Sequence, residues 1–203
     1  MARQRSRAVD VSIATAAIDL LREVGYARLT MGEVARRAGV GKDSLYRRWP
    51  SKAALIHEVV FERYPSGYDG APSTGSLLGD VRALTTLLQE ANTTPEAAAA
   101  IPGLLSEAGR DPAFESRLRE QFYEPMRAGF AAVVDAAHAR GEQTVPVAPE
   151  LVADVLVGTM LFRLSLLRVT ADGSFPGELA EFVVRALTPA AASDPPASRS
   201  RRR

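Results

Sequence analysis

The sequence predicts an all-α protein. Apolar residues recur at helical spacing in nearly every segment, and runs in which apolar and polar residues alternate as in a strand are absent. Gly and Pro stand where helices should begin or end. With 203 residues, of which 46% are hydrophobic, the chain is long enough to bury a real core, as one large domain or two small ones.

Four helices are predicted in the N-terminal part, each with its own start or stop signal. Gly25 ends a first amphipathic helix. Thr30 and Glu33 form a T-x-x-E capping box that opens a short second helix. A Gly-Val-Gly turn leads to a third helix, which Pro50 closes, and Ser51 is a good N-cap for a fourth. The expected ranges are 13–24, 30–38, 42–49 and 51–64.

A Pro-, Gly- and Ser-rich stretch, residues 64–76, is predicted to be the loop between an N-terminal and a C-terminal domain. Of the five helices predicted beyond it, the last four begin with Pro, which suits the first helical position. Pro125 lies inside one of them and should kink it. The basic, Pro-rich end of the chain is predicted to be disordered. The expected helices are 77–91, 95–108, 112–140, 149–170 and 176–187, and the expected domains are 1–64 and 75–188 with a tail over 189–203.

Charge is distributed unevenly along the chain. The formal net charge is +1, but residues 1–52 carry eleven Lys or Arg against five Asp or Glu, a balance of +6. Residues 53–195 carry a balance of −9, and the last eight residues add four Arg. A basic N-terminal domain on an acidic C-terminal domain suggests that the basic one meets a polyanion. Chance segregation of solvated charge is the alternative.

Composition disfavours several classes of function. The chain has no cysteine and two histidines, which excludes thiol nucleophiles, disulfide frameworks and most His-based metal sites. It has neither a paired His–acid motif nor a glycine-rich phosphate loop, so we expect no catalytic residue, no metal and no cofactor. The N-terminus lacks a signal-peptide core, and the most apolar run, residues 155–162, is far shorter than the ~20 residues of a membrane span. A cytoplasmic protein is therefore expected.

Two short helices joined by a glycine turn, over about residues 30–49, have the geometry of a helix-turn-helix. The second helix of such a unit enters the major groove of DNA. Leu45 and Trp49 lie four residues apart and should face the core, leaving outward a polar and basic surface of the kind that reads base edges and phosphates. An ordinary solvated amphipathic helix is the alternative. The outward residues would be Lys42, Asp43, Ser44, Tyr46, Arg47 and Arg48.

An ordered set of motifs spans residues 17–55. It comprises Gly25-Tyr26, Thr30, Ala35-x-x-Ala38-Gly39-Val40, Leu45-Tyr46, Trp49 and Ser51-Lys52-x-x-Leu55. This stretch closely resembles the N-terminal domain of the TetR family of bacterial transcriptional regulators. Residues 75–187 look like the C-terminal ligand-binding and dimerisation domain of that family. The resemblance implies an all-helical homodimer that binds a palindromic double-stranded DNA operator with its N-terminal domains and a small-molecule effector with its C-terminal domains.

The resemblance also implies which residues contact DNA. The expected contacts are Thr30, Met31, Lys42, Asp43, Ser44, Tyr46, Arg47, Arg48 and Lys52. The first two open the second helix and should lie near phosphates, the next three should read bases, and the three after them match positions that contact groove and phosphates. Lys52, at a helix N-terminus, matches a phosphate anchor. Two positions depart from the family pattern, since Gly41 replaces a common Ser or Thr cap and Arg48 replaces a common His.

The C-terminal domain gives weaker signals. Its last two predicted helices are strongly apolar, which in the family corresponds to a four-helix bundle between dimer mates, although both stripes could be internal core. Candidate effector-binding residues are Leu84, Leu88, Tyr123, Met126 and Phe130. Such residues at helical spacing suit a mostly apolar pocket with a few polar groups, but they equally suit plain core.

The leading hypothesis is a transcriptional repressor that a small molecule releases from its operator. An all-helical enzyme with a DNA-binding-like N-terminal domain and a DNA-binding protein without an effector are the alternatives. Activation rather than repression would use the same DNA-binding unit, so the sequence leaves that choice open. It leaves open the effector, the operator sequence and the regulated genes as well.

Overall fold

The computed structural model describes residues 2–61, 72–142, 144–167 and 173–189, with side chains from residue 8 onward. Within those ranges the chain is helical and contains no strand, so the all-α prediction is confirmed. The helices are α1 (Ala2–Arg28), α2 (Met31–Ala38), α3 (Lys42–Tyr46), α4 (Lys52–Phe61), α5 (Leu77–Asn92), α6 (Pro95–Ala108), α7 (Pro112–Leu118), α8 (Glu124–Ala139), α9 (Pro149–Leu161) and α10 (Phe175–Leu187). We call α1–α4 the head and α5–α10 the body.

Some predictions fall outside the described residues. These are the last residues of the predicted fourth helix and most of the interdomain loop (62–71), the end of the predicted helix 149–170 (168–170), and nearly all of the tail (190–203). In the part that is described, no helix is both long and apolar enough to cross a membrane.

Local signals shape the helix-turn-helix as the sequence predicts. Gly25 breaks α1 with φ 73° and ψ 167°, a conformation that favours glycine. The Thr30 hydroxyl caps α2 by accepting a hydrogen bond from the Glu33 backbone, and Gly39 closes α2 in the left-handed conformation, with φ 68°. The Glu33 carboxylate pairs with Arg36, one turn further along α2, rather than contributing to the cap. The helix α3 is shorter than predicted: it ends at Tyr46, and a turn follows before Pro50.

The predicted helix over 112–140 is present as one helical stretch, but it is not α-helical throughout. The structure has α7, then a π-helical turn over Arg119–Tyr123, then α8. Pro125 is the second residue of α8 rather than the apex of a kink within a continuous α-helix. Proline cannot donate a hydrogen bond to the preceding turn, and its ring clashes there, so a widened turn just before it relieves the conflict. A second π-helical turn, Phe162–Leu167, follows α9.

Two hydrophobic cores hold the chain together. The first joins the head to α6 and to Phe114 of α7, so α6 packs with the head although it follows the interdomain loop. The second joins α5, α8, α9 and α10.

An ion pair fastens the second core at one end. Asp80, fully buried at the start of α5, accepts hydrogen bonds from the backbone and hydroxyl of Thr74 and pairs at 2.9 Å with Arg140 beyond the end of α8. Burial by itself would raise the pKa of Asp80, but these hydrogen bonds and the positive charge of Arg140 outweigh burial and lower it.

Candidate nucleic-acid interface and interior cavity

Two inward side chains orient the recognition helix α3. Leu45 is fully buried and Trp49 nearly so, which confirms the predicted inward pair. The Trp49 indole donates a hydrogen bond of 2.6 Å from Nε1 to the carboxylate of Glu58 in α4. The α2–turn–α3 unit is thereby held against α4, and the other face of α3 is left to solvent.

The outward face of α3 is polar and mainly exposed. Lys42, Asp43, Tyr46 and Arg47 are exposed, whereas Ser44 is half-buried. The stem of Lys42 crosses the start of α2, where a Cβ on Gly32 would lie 3.0 Å from its Cε. The structure therefore brings these residues together on one surface, as the sequence predicts.

Some basic side chains of the head are held in ion pairs, and others are not. The guanidinium of Arg37 forms a two-bond ion pair with Glu23, at 2.7 and 2.8 Å, and Arg36 and Arg48 pair with Glu33 and Asp10. Across the described residues, neither Lys42 nor Arg47 has a carboxylate partner; Arg47 lies 3.5 Å from the Ser44 hydroxyl. In α3 and the turn after it, Lys42 and Arg47 could therefore bind a phosphate without first breaking an ion pair.

The start of α2 corrects one expected contact. Thr30 is exposed, as a phosphate contact requires. The side chain of Met31 is only 6% exposed and belongs to the first core, because the amphipathic α2 turns this position inward. The backbone N–H of Met31 stays at the N-terminus of α2, whereas its side chain faces the core.

Lys52 has partners within the protein. Its Nζ donates a hydrogen bond of 2.9 Å to the backbone carbonyl of Tyr26 and lies 4.2 Å from the centre of the Tyr26 ring. The Tyr26 ring also lies against α6, where a Cβ on Gly103 would come within 2.0 Å of it. Burial, with a smaller effect of Glu107, raises the pKa of Tyr26 to about 12. One aromatic ring thus joins the end of α1, the start of α4 and a helix of the body.

A cavity of about 390 Å³ lies between the two cores. The residues that line it come from α4, α5, α6, α7, the first π-helical turn and α9. They are His57, Phe61, Asn92, Ile101, Leu104, Leu105, Ala108, Glu115, Leu118, Arg119, Phe122, Tyr123, Val157 and Leu161.

The structure places four of the five predicted effector-binding residues away from this cavity. Of that set only Tyr123 lines the cavity, and its hydroxyl donates a hydrogen bond of 2.9 Å to Asp154. The other four are at most 4% exposed inside the second core, where neighbouring helices fill the space around them. They are Leu84, Leu88, Met126 and Phe130.

His57 is the cavity residue that sequence reasoning missed. It is 8% exposed, and its ring packs edge-on against Phe114 and tilted against Phe61, with centroids 6.2 and 5.7 Å away. No hydrogen bond joins its ring nitrogens to another described residue. Burial, aided by the charge of Arg117, lowers the pKa of His57, so the imidazole is neutral near pH 7. The available signal was the His57-Glu58 pair in the otherwise apolar residues 53–61 of α4.

Asn92 is the second buried polar residue of the cavity. It is 3% exposed, and its Nδ2 donates a hydrogen bond of 2.7 Å to the Leu88 carbonyl. Its Oδ1 has no hydrogen-bond partner within the described ranges. Charged groups, in contrast, stay at the mouth, where Glu115 and Arg119 pair at 3.9 Å with both side chains more than half exposed.

Comparison with known proteins identifies relatives of both halves. The family model described as "Bacterial regulatory proteins, tetR family" matches residues 13–59. The family model described as "Tetracyclin repressor-like, C-terminal domain" matches residues 71–183. An uncharacterised HTH-type transcriptional regulator of Mycobacterium tuberculosis is 34% identical over 71% of this chain and 70% of its own. The DNA-binding transcriptional repressor TetR of Mycobacteroides abscessus is 30% identical over 90% of this chain and 95% of its own.

A solved structure extends the likeness to the fold. The transcriptional regulator FadR of Bacillus subtilis, in complex with stearoyl-CoA, matches with a TM-score of 0.69 over 87% of this chain and 98% of its own, at 12% identity. At that identity the match concerns the fold alone. The sequence matches cover the helix-turn-helix and most of the body, and the relatives are DNA-binding regulators rather than enzymes. The chain therefore belongs to the TetR family of bacterial transcriptional regulators.

Proposed function

We propose that this regulator is a repressor that binds a palindromic operator as a homodimer and is released when a small molecule occupies the interior cavity. The observation that carries the proposal is the position of α4. This helix begins at Lys52, beside the helix-turn-helix, and lines the cavity with His57 and Phe61. A ligand in the cavity therefore touches the helix that holds the DNA-reading unit.

The exposed face of α3 supports the DNA-binding part. Lys42, Asp43 and Ser44 at its start would read bases, and Tyr46 and Arg47 would meet the groove and phosphates. Thr30, the Met31 backbone N–H and Lys52 would lie along flanking phosphates, Lys52 while keeping its bond to Tyr26. Arg48 would have to share its charge with Asp10.

An exposed apolar face supports the homodimer. Five large side chains of α9, the second π-helical turn and α10 are more than half exposed: Leu151, Phe162, Leu166, Leu167 and Phe182. An isolated chain would leave this face in water, whereas two copies related by a two-fold axis would bury it in a four-helix bundle. A two-fold protein suits a two-fold operator.

Release requires that the ligand prefers a conformation in which the two recognition helices are wrongly spaced. On one face of B-DNA their separation must be roughly 34–36 Å, about one helical turn. A coupling of ~1–3 kcal/mol, or ~5–150-fold in operator affinity, is typical of such regulation. The Mycobacteroides abscessus relative is named a repressor, which favours repression over activation.

The test is selection of an operator from random DNA by the full chain, followed by footprinting and sedimentation of the complex. We expect two inverted half-sites protected by a dimer, with affinity that falls steeply as salt rises. Protection of a single half-site by a monomer would contradict the homodimer and the palindrome. Loss of all specific binding would contradict the function itself.

A further inference from the structure

The charged and the neutral polar side chains of the cavity lie in different places. Its charged groups, Glu115 and Arg119, lie at the mouth and face each other there. Its deeply buried polar groups are His57 and Asn92, both more than nine-tenths buried. The remaining lining is almost entirely apolar.

His57 and Asn92 leave hydrogen-bonding capacity unused. A neutral imidazole has one N–H donor and one nitrogen acceptor. Neither ring nitrogen of His57, nor Oδ1 of Asn92, has a partner in the part of the chain that is described. These atoms line an open cavity that water can enter, so a ligand that displaces the water keeps its affinity only if it supplies hydrogen-bond partners of its own.

Three classes of ligand can be compared against this lining. An anion would lose its hydration without a cation to bind it inside the cavity. Arg119 is the one Lys or Arg among the described lining residues and is paired with Glu115, and Arg117, whose charge acts on His57, lies over the Phe114 ring outside the lining. A hydrocarbon would fill the cavity but leave His57 unsatisfied. A neutral molecule with a hydroxyl group can donate and accept, so it satisfies His57 in either tautomer.

We propose that the cavity selects a neutral, largely apolar ligand whose hydroxyl group hydrogen-bonds to His57, with Asn92 Oδ1 as a second acceptor. The proposal specifies the effector class of the proposed function and rests on it. It also separates this chain from FadR, which was solved with stearoyl-CoA, since the described lining residues offer the phosphates of an acyl-CoA one cation, Arg119, and no cluster of them.

The position of His57 gives the hydrogen bond a regulatory consequence. His57 lies five residues after Lys52 on α4, about 7.5 Å along the helix axis. Lys52 in turn is bonded to Tyr26, whose ring packs on α6. A ligand that draws His57 toward the cavity therefore moves α4, the helix that Lys52 fixes to the end of α1.

The test uses three probes that share a biphenyl body. These are 4-phenylphenol, biphenyl and biphenyl-4-carboxylate, titrated by calorimetry into the full chain at pH 7.5. We expect 4-phenylphenol to bind about tenfold more tightly than biphenyl, as one well-placed hydrogen bond allows, and the carboxylate to bind most weakly. His57→Phe should abolish the preference for the phenol and leave biphenyl binding unchanged.

Two further variants make the result interpretable. His57→Gln keeps hydrogen-bonding atoms and should retain part of the preference, even if His57→Phe folds poorly. His138→Phe replaces the other histidine, which is exposed near the end of α8, and should leave the preference intact. A circular dichroism spectrum and melting curve accompany each variant.

Several outcomes would overturn the inference: equal affinity for phenol and biphenyl, tightest binding of the carboxylate, no binding of any probe, or full preference in both His57 variants. Operator binding by the ligand-free wild type is measured on the same preparation. If it holds while the preference is absent, the ligand class is wrong and the proposed function stands. If it fails, the proposed function is wrong.

Discussion

The helices α2 and α3 are short and their ends are set by turns, whereas most of the helices around the cavity are longer and are positioned by packing. In the head, Thr30 and Gly39 set the ends of α2, and a few outward side chains carry the chemistry. In the body, the cavity depends on where several helices fail to fill the space between two cores. The surface of the head is thus determined by residues close together in sequence, whereas the cavity is determined by the packing of several helices.

The largest effect is expected from a charge placed on the exposed apolar face of the body. Phe182→Glu should convert the dimer into a monomer, because the two-fold axis would bury the new charge twice. Operator affinity should fall about a hundredfold or more, since the second head would no longer be tethered to the first. Sedimentation and operator titration measure both effects. Leu87→Glu, on the exposed side of α5, is the matched control and should remain dimeric; a dimeric Phe182→Glu protein would place the interface elsewhere.

The next largest effect, on stability, is expected at the ion pair between Asp80 and Arg140. Asp80→Asn should lower the free energy of unfolding by about 3 kcal/mol, the lower end for a broken buried pair, because Arg140 keeps 26% exposure and a second partner, Glu142, at 2.8 Å. Chemical denaturation measures the change. Glu181→Gln breaks the pair with Arg82, in which both side chains are nearly half exposed, and should change stability by less than about 0.5 kcal/mol. Equal effects of the two variants would show that Asp80 is not a special anchor.

The same pair predicts a dependence on pH. Because folding lowers the pKa of Asp80, its stabilising contribution is present above the unfolded-state pKa of about 3.9 and is lost as the pH falls through the lower folded-state value. The stability difference between wild type and Asp80→Asn should therefore stay constant from about pH 7 to 5 and shrink below about pH 4. A difference that instead grows on acidification would reverse the sign of the pKa shift.

A smaller effect tests the contact between head and body. Gly103→Ala places a methyl group against the Tyr26 ring and should destabilise the protein by about 1–3 kcal/mol, as overpacking does. Gly109→Ala, at the end of the same helix, meets no atom closer than 3.8 Å and should change stability by less than about 0.5 kcal/mol. Thermal melting compares the two variants. Similar melting temperatures would mean that Tyr26 moves aside freely and that the contact does not couple the two regions.

The smallest effect lies on the surface of the head. Arg47→Ala should weaken binding to specific and random DNA alike by about 1 kcal/mol, and the salt slope should decrease by about one, because a phosphate contact is lost. Arg110→Ala, an exposed change between α6 and α7, should alter neither quantity. Fluorescence anisotropy across a salt series gives both values. An unchanged slope for Arg47→Ala would place this residue away from the backbone of DNA.

The two regions also differ in how far sequence predicts them. Thr30, Gly39 and the Leu45–Trp49 pair act over three or four residues, so their roles can be inferred from spacing alone, and the structure confirms these. Met31 shows the limit of a motif, which places a residue at a helix start without saying which way its side chain points. The length of α3 was overestimated, since the chain leaves the α-helix after Tyr46 and continues as a turn, although the Trp49 N–H still donates a helix-type hydrogen bond to the Leu45 carbonyl.

The cavity could not be predicted in this way. Leu84, Leu88, Met126 and Phe130 have the spacing of a lining, but spacing reports only that a side chain avoids water, not whether its neighbour is another side chain or a void. Which stripe faces the void depends on how α4, α6 and α9 are arranged, and on a π-helical turn that shifts the register before α8. His57 was identifiable as unusual, but its contact with Phe114 of α7 depends on how distant helices pack.

One side chain described above also makes the molecule observable. Trp49 is the only tryptophan in the chain, and its indole N–H is bonded to Glu58, the residue after His57 on α4. Indole emission responds to a neighbouring carboxylate and to solvent access, so the tryptophan fluorescence of this protein arises entirely from the junction between the recognition unit and α4. Titrations with operator and with a cavity ligand should therefore shift one common optical signal, without an attached dye, and stopped-flow mixing would time how quickly a signal from the cavity reaches the DNA-reading unit.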